Sequence, residues 1–229
     1  MYAREIDGTE YTFGVSGKLI MNVLVMYDRQ TESLWSQLLG EAVEGPLKGT
    51  QLEYVPAIHT TWADWKKGHP DTLALVKGYY GGLTPYRDYY DSVEAGVIGE
   101  TFTDNRLYVK EFVVGVEHNG EAVAYPFSTL NETPVVNDEI GGDPVLVAFD
   151  KDTAASAVFS RILDGQTLTF SQTDDLTLTD SETGSTWIGL TGLATDGPLQ
   201  GKRLTQLKST SSFWFGWKDF YPGTRVWGQ

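Results

Sequence analysis

Asp28-Arg29-Gln30-Thr31-Glu32-Ser33-Leu34-Trp35 returns as Asp180-Ser181-Glu182-Thr183-Gly184-Ser185-Thr186-Trp187, an offset of 152 residues (180 − 28). The same offset carries Gly40, Gly45-Pro46-Leu47, Gly49, Leu52, Trp62, Trp65-Lys66, Pro70 and Thr72 onto Gly192, Gly197-Pro198-Leu199, Gly201, Leu204, Trp214, Trp217-Lys218, Pro222 and Thr224. Self-similarity at a fixed offset marks a repeated structural unit and takes precedence over local propensity. Upstream the match continues at an offset of 157 (164 − 7), pairing Asp7-Gly8 and Phe13 with Asp164-Gly165 and Phe170. The first repeat therefore holds five extra residues (157 − 152), spent on Gly14-Val15-Ser16-Gly17-Lys18. Most shared residues are Gly, Pro, Trp and Leu, the types that fix turns and fill cores.

Each repeat reads as β structure. Asp7-Gly8 and Asp164-Gly165 stand between short apolar stretches and the alternating runs Glu10–Phe13 and Gln166–Phe170, a hairpin signal. Strands are expected at Leu24–Tyr27, Ser33–Gln37 and Gln51–Val55, with one short helix at Trp62–Lys67 behind Thr61 and ended by Gly68 and Pro70. Residues 112–160 have no partner in the first repeat. They predict strands at Phe112–Glu117, Glu121–Tyr125 and Val145–Phe149, turns at Asn119-Gly120 and Gly141-Gly142, and a loop or helical turn from Pro126 to Glu132.

The expected fold is mainly β: two related antiparallel units, barrel- or sandwich-like, with short helices, forming a pseudo-two-fold internal duplication. Residues 1–78 are the first unit, truncated at its N-terminus; 79–111 are a Gly/Tyr-rich connector; 112–229 are the second unit. The segment 112–160 is expected to complete a sheet for the first unit as well as its own. The repeat-related tryptophans are expected in the core.

Composition narrows the function. With 41% hydrophobic and 21% charged residues among 229, the chain is of ordinary globular make-up. Thirty-one acidic against 17 basic side chains give a formal charge of −14, which repels nucleic-acid phosphates and favours solubility. No nucleic-acid partner is expected. The absence of cysteine removes disulfides, thiolate metal sites and thiol nucleophiles. No stretch approaches the length of a membrane-spanning helix, and the opening residues show no basic region followed by an apolar run, as is also expected where a leader has been processed.

Phe13-Gly14-Val15-Ser16-Gly17, Val25–Gln37, Gly40-Glu41-Ala42, Gly45-Pro46-Leu47 and Thr61-Trp62 through His69-Pro70-Asp71-Thr72 resemble the DUF3179 family, a bacterial and archaeal family of unknown function whose members often carry export signals. Val114-Gly115-Val116, Asn119–Ala122, Ala124-Tyr125-Pro126, Val136-Asn137-Asp138 and Gly141-Gly142 resemble that family's N-terminal half. By this resemblance residues 112–229 are a complete but degenerate unit and 1–75 the well-preserved end of another. The resemblance implies an extracytoplasmic location, secreted or at the cell surface. Where members commonly carry a Cys-Pro-Leu-Cys-like stretch, this chain has Phe149-Asp150-Lys151-Asp152-Thr153-Ala154, so no cysteine-based chemistry carries over.

The repeats also serve as an internal control, since a polar residue kept in one copy only is not required by the shared scaffold. Arg29, Gln37, Glu41, His69 and Asp71 stand where the second repeat has Ser181, Gly189, Leu193, Tyr221 and Gly223, and they form the candidate polar site. An arginine forks onto carboxylates or phosphates, a glutamate serves as base or cation ligand, and a histidine titrates near neutrality. The competing reading is local: Arg29 pairs with Glu32, and His69–Thr72 cap a turn. Tyr86, Tyr89 and Trp227 are candidate ligand-stacking residues. No metal and no cofactor are expected: His59, His69 and His118 are scattered, and the acids at Asp174-Asp175 and Asp180–Glu182 lack a calcium-loop pattern. Gly14-Val15-Ser16-Gly17 falls short of a nucleophile elbow. The leading expectation is a non-enzymatic binding or scaffold domain for a small molecule, glycan or protein. A hydrolase using Arg29, Glu41 and His69 is the alternative, and an assembly subunit with an exposed sheet edge near Ile6–Phe13 is a third.

Overall fold

A computed structural model describes residues 1–76 and 87–229. Asp7-Gly8 makes a two-residue turn between β1 (Glu5–Ile6) and β2 (Thr9–Glu10). Next, β3 (Phe13–Ile20), β4 (Val23–Asp28), β5 (Leu34–Ser36) and β6 (Glu41–Glu44) form an antiparallel sheet in that order. Where a strand is expected at Gln51–Val55, the backbone makes single bridges instead, Glu41 to Gln51 and Tyr2 to Tyr54. Two short helices follow, α1 (Trp62–Gly68) and α2 (Arg87–Asp91).

The second half is richer. β7 (Phe112–His118) and β8 (Glu121–Pro126) form a hairpin about Asn119-Gly120, and α3 (Phe127–Glu132) is the expected helical turn. β9 (Val135–Ile140), β10 (Asp143–Asp150) and β11 (Ala155–Ser160) make a three-stranded sheet with β10 central. A small hairpin of β12 (Ile162–Leu163) and β13 (Gln166–Thr167) leads into the sheet β14 (Phe170–Asp174), β15 (Thr177–Asp180), β16 (Thr186–Ile188) and β17 (Leu193–Asp196). Then β18 (Thr210–Phe213), α4 (Trp214–Phe220) and β19 (Arg225–Val226) close the chain, giving a sheet ordered β18-β7-β8-β19.

These elements stack in layers because the β9–β11 sheet is apolar on both faces. Along β10, Val145, Val147 and Phe149 meet Val114, Val116, Val123 and Tyr125 of the β7–β8 sheet, while Leu146 turns the other way onto Phe170, Leu178 and Trp187. Period-two alternation thus sends successive apolar residues into two different cores. On the far side of the β7–β8 sheet, Val113 and Ala124 receive Trp214 and Trp217 of α4. That contact requires a glycine: a Cβ on Gly115 would stand 2.2 Å from Trp217 Cε3. The protein is therefore mainly β, and its sheets are open and stacked in sandwich fashion; among the described residues none closes into a barrel.

The two repeats use the same hydrogen bonds. Asp28 is fully buried and accepts from Trp35 Nε1 (2.9 Å), Thr31 N (2.6 Å) and Thr31 Oγ1 (2.9 Å). Asp180 accepts at the same distances from Trp187 Nε1, Thr183 N and Thr183 Oγ1. Ser33 and Ser185 each hold the next loop by accepting from Leu47 N and Leu199 N, and Phe13 and Phe170 each stand edge-on to their tryptophan at 5.6 Å. Gly40 and Gly192 both adopt positive φ, and a Cβ there would strike the ring of Tyr2 or Phe159. Tyr2 and Phe159 are themselves related by the offset of 157 (159 − 2).

Two expectations change. Residues 112–160 complete no sheet for the first repeat: β9 and β10 spend both faces on the second, and among the described residues no strand of the first repeat pairs with them. And the tryptophans divide: Trp35, Trp187, Trp214 and Trp217 are core residues, whereas Trp62 is 51% and Trp65 42% exposed, with no sheet over α1 among the described residues.

Candidate functional site

A cavity of about 530 Å³ opens between the first repeat and the edge strand β18. Its apolar lining comes from Tyr2, Phe13, Met26, Leu38, Leu52 and Tyr54, and its polar groups from Arg4, Gln37, His59, Ser156 and Ser209–Ser212. Local sequence dictates this layout. β3 and β4 alternate, so Phe13 and Met26 share one sheet face, and the bridge from Tyr2 to Tyr54 lays both rings along one side. Tyr2 donates its hydroxyl proton to Leu38 O (2.9 Å), and burial, reinforced by Tyr221 and Tyr54, pushes its pKa up to about 12. It is a neutral, spent donor at physiological pH. Ser212, on β18, carries a buried hydroxyl oxygen with no hydrogen-bond partner among the described residues.

Of the candidate polar residues, Gln37 lines this cavity. Arg29 Nη1 donates to Phe13 O (2.6 Å) and its guanidinium lies 5.6 Å from the Tyr27 ring centre. Glu41 accepts from Gln51 Nε2 (2.8 Å). His69 stacks on Trp65 at 4.0 Å, and Thr72 ties off the turn by accepting from Trp65 Nε1 (3.0 Å) and donating its N–H to His69 O. Asp71 is exposed beside it. No hydrogen bond or ion pair links Arg29, Glu41 and His69 among the described residues. Tyr86 lies outside the described residues. Tyr89 is half-buried, with the Lys110 ammonium 3.9 Å from its ring centre, and Trp227 packs beside Tyr125 at 6.1 Å.

Two other polar clusters are internally satisfied. Asp138 accepts from Tyr125 Oη (2.7 Å) and Arg225 Nη2 (3.0 Å), and Arg225 also reaches Glu121 (3.1 Å). Lys218, 1% exposed, pairs with Glu100 (2.8 Å) and Asp219 (3.1 Å) and donates to Phe102 O. Asp219 in turn accepts from Thr101 N (2.7 Å) and Phe102 N (3.1 Å), fastening the connector to α4. Among the described residues no three His, Asp or Glu side chains gather to hold a metal ion, and no helix is long and apolar enough to cross a membrane.

The residues that sequence reasoning missed are Tyr2, Met26, Leu38, Tyr54 and His59. Their signal was the internal comparison itself, which sets Tyr2, Met26 and Leu38 against the apolar Phe159, Leu178 and Leu190.

Fold and site together define a mainly β protein of open, stacked sheets with an apolar recess rimmed by polar groups. The chain belongs to the DUF3179 family, described as a protein of unknown function, whose family model matches residues 1–224. No curated protein and no solved structure matches it.

Proposed function

We propose that the chain is a non-enzymatic binding or scaffold domain with the cavity beside the first repeat as its receptor surface. The observation that carries this reading is the cavity's make-up: about 530 Å³, floored by Tyr2, Phe13, Met26 and Leu52, within the size range of ligand sites. Its polar groups are rim donors and acceptors suited to orienting a bound molecule. The extracytoplasmic location rests on the family resemblance and is tested by fractionating the native host. The charge of −14 argues against nucleic acid as the partner. The shared hydrogen bonds of Asp28 and Asp180 support an internal duplication as the origin of the two repeats.

The binding test uses 8-anilinonaphthalene-1-sulfonate as a probe of the recess. The full chain is expected to take up one equivalent with enhanced emission, and Ala57→Trp, which fills the cavity from its wall, to weaken uptake several-fold. Uptake indifferent to that substitution, or no uptake at all, sinks the assignment.

A further inference from the structure

In the second repeat, four features hold the segment Phe112–Asp150 in place. Arg161 donates from Nε to Val145 O (3.2 Å) and from Nη2 to Asp138 O (3.1 Å), so its guanidinium clasps carbonyls of both β10 and β9. Phe170 exchanges two hydrogen bonds with the Asn137 carboxamide, at 2.8 Å from its N–H and 2.7 Å to its carbonyl. Leu146 and Val135 drop onto Phe159, Phe170 and Leu178. Trp214 and Trp217 lie against β7 and β8.

Each feature has a counterpart in the first repeat, and among the described residues no segment like Phe112–Asp150 lies on it there. Arg4 matches Arg161 (161 − 157); its side chain is 62% exposed and makes an ion pair with the equally exposed Glu10. Phe13 matches Phe170. It faces Asp28 across the ladder, but Asp28 N–H turns to Ser33 O, so the Phe13 peptide groups point to the free edge of β3. Arg29 takes the carbonyl, and among the described residues no side chain meets the N–H. Tyr2, Phe13 and Met26, matching Phe159, Phe170 and Leu178, line the open cavity. Trp62 and Trp65 are 51% and 42% exposed where Trp214 and Trp217 are 0% and 2%.

We propose that the first repeat is a docking site for a polypeptide built like residues 112–150, whose apolar side chains fill the cavity, whose carbonyls accept from Arg4, and whose hairpin covers Trp62 and Trp65. This rests on the binding reading and names the partner. An exposed strand edge beside apolar pockets is the geometry of strand addition, in which backbone hydrogen bonds supply affinity and pockets supply selectivity. The partner is acidic as well as apolar. Residues 112–150 contain Glu117, Glu121, Glu132, Asp138, Glu139, Asp143 and Asp150 and no Lys or Arg, and Asp138-Glu139 adjoin the Asn137 that reaches Phe170. Arg29, absent from the second repeat as Ser181, stands at that same edge of the first. A second copy of this chain does not supply the partner, since each copy holds one such segment already engaged by its own second repeat. Exchange between copies moves the segment without adding one.

The test is a tandem chain in which residues 112–157 precede Met1, joined at the register where Val158 matches Met1 (158 − 157). Acrylamide quenching of the Trp62 and Trp65 emission, isolated by difference against Trp62→Phe/Trp65→Phe, is expected to be strong in the unextended chain and lost in the tandem one. Uptake of 8-anilinonaphthalene-1-sulfonate is expected to be lost with it. Tryptophans that stay quenchable in a folded tandem chain overturn the proposal, and if the probe is still bound there the simpler binding reading survives alone. The second arm cuts the tandem chain at its junction after folding. One-to-one coelution of the two pieces that falls several-fold on Arg4→Ala is expected, and a chain that elutes alone after the cut overturns the proposal. A sedimenting dimer of the unextended chain with both tryptophans already protected overturns it in favour of self-association.

Discussion

Replacing Asp180 by alanine removes the acceptor on which the second repeat's turn is built. The carboxylate is fully buried and takes hydrogen bonds from Trp187 Nε1 (2.9 Å), Thr183 N (2.6 Å) and Thr183 Oγ1 (2.9 Å). The threonine hydroxyl retains Ser185 Oγ at 2.7 Å, so two donors, the indole and the Thr183 amide, are orphaned. At about 1–3 kcal/mol for each of these two buried orphans, the expected loss is about 2–6 kcal/mol. Asp180→Asn keeps the shape but turns an NH2 toward one of those donors, for a loss of about 1–3 kcal/mol. Asp28→Ala and Asp28→Asn are expected to follow the same order, because the net is the same to within the distances. Urea unfolding followed by tryptophan emission and, separately, by far-ultraviolet dichroism measures all four. A loss below about 0.5 kcal/mol for either alanine variant, the size of an ordinary surface change, refutes the claim that these carboxylates organise the turns.

The same aspartates set the acid limb of stability. Burial alone raises each carboxyl, but hydrogen bonds from Trp35 and Thr31, or Trp187 and Thr183, outweigh it, so both pKa values lie below the ordinary one. A carboxyl held lower in the folded chain than in the unfolded one, near about 3.9, stabilises fully above that value and loses its contribution as pH falls through the folded pKa. Stability is therefore expected to decline below about pH 4, and Asp28→Asn/Asp180→Asn to flatten that decline; an unchanged profile in the double variant contradicts the assignment. Lys218→Met is expected to cost about 3–5 kcal/mol by leaving Asp219 buried without its cation, whereas Lys66→Met, at the matching position on α1, stays within about 0.5 kcal/mol in a thermal melt. Equal costs at the two lysines would show that α1 is covered as α4 is.

Much of the β architecture was legible because period and turn chemistry agree. Asp7-Gly8, Asn119-Gly120 and Asp164-Gly165 all mark hairpins, and Val145–Phe149 is a strand. Layering was not legible, since an unbroken apolar run does not say which of its residues face which core; only the packing separates Val147 from Leu146. The core assignment of Trp62 and Trp65 was misled by identity with Trp214 and Trp217. A side chain's type records what a scaffold position wants to bury, while its exposure depends on a covering sheet, which α4 has and α1 does not among the described residues. The internal control also pointed at mismatches such as Arg29 and Glu41, although the cavity's apolar floor of Tyr2, Phe13, Met26 and Leu52 comes from positions apolar in both repeats. Matching residues held in unequal surroundings carried the stronger signal.

The most direct measurement is amide hydrogen exchange at Phe13 and Phe170 in one sample of the full chain. The account predicts strong protection at Phe170, whose N–H is held by Asn137 at 2.8 Å, and fast exchange at Phe13, whose N–H faces the free edge of β3. Equal protection at the two positions would mean that the first repeat is already covered, and would contradict the claim that it presents an open docking surface.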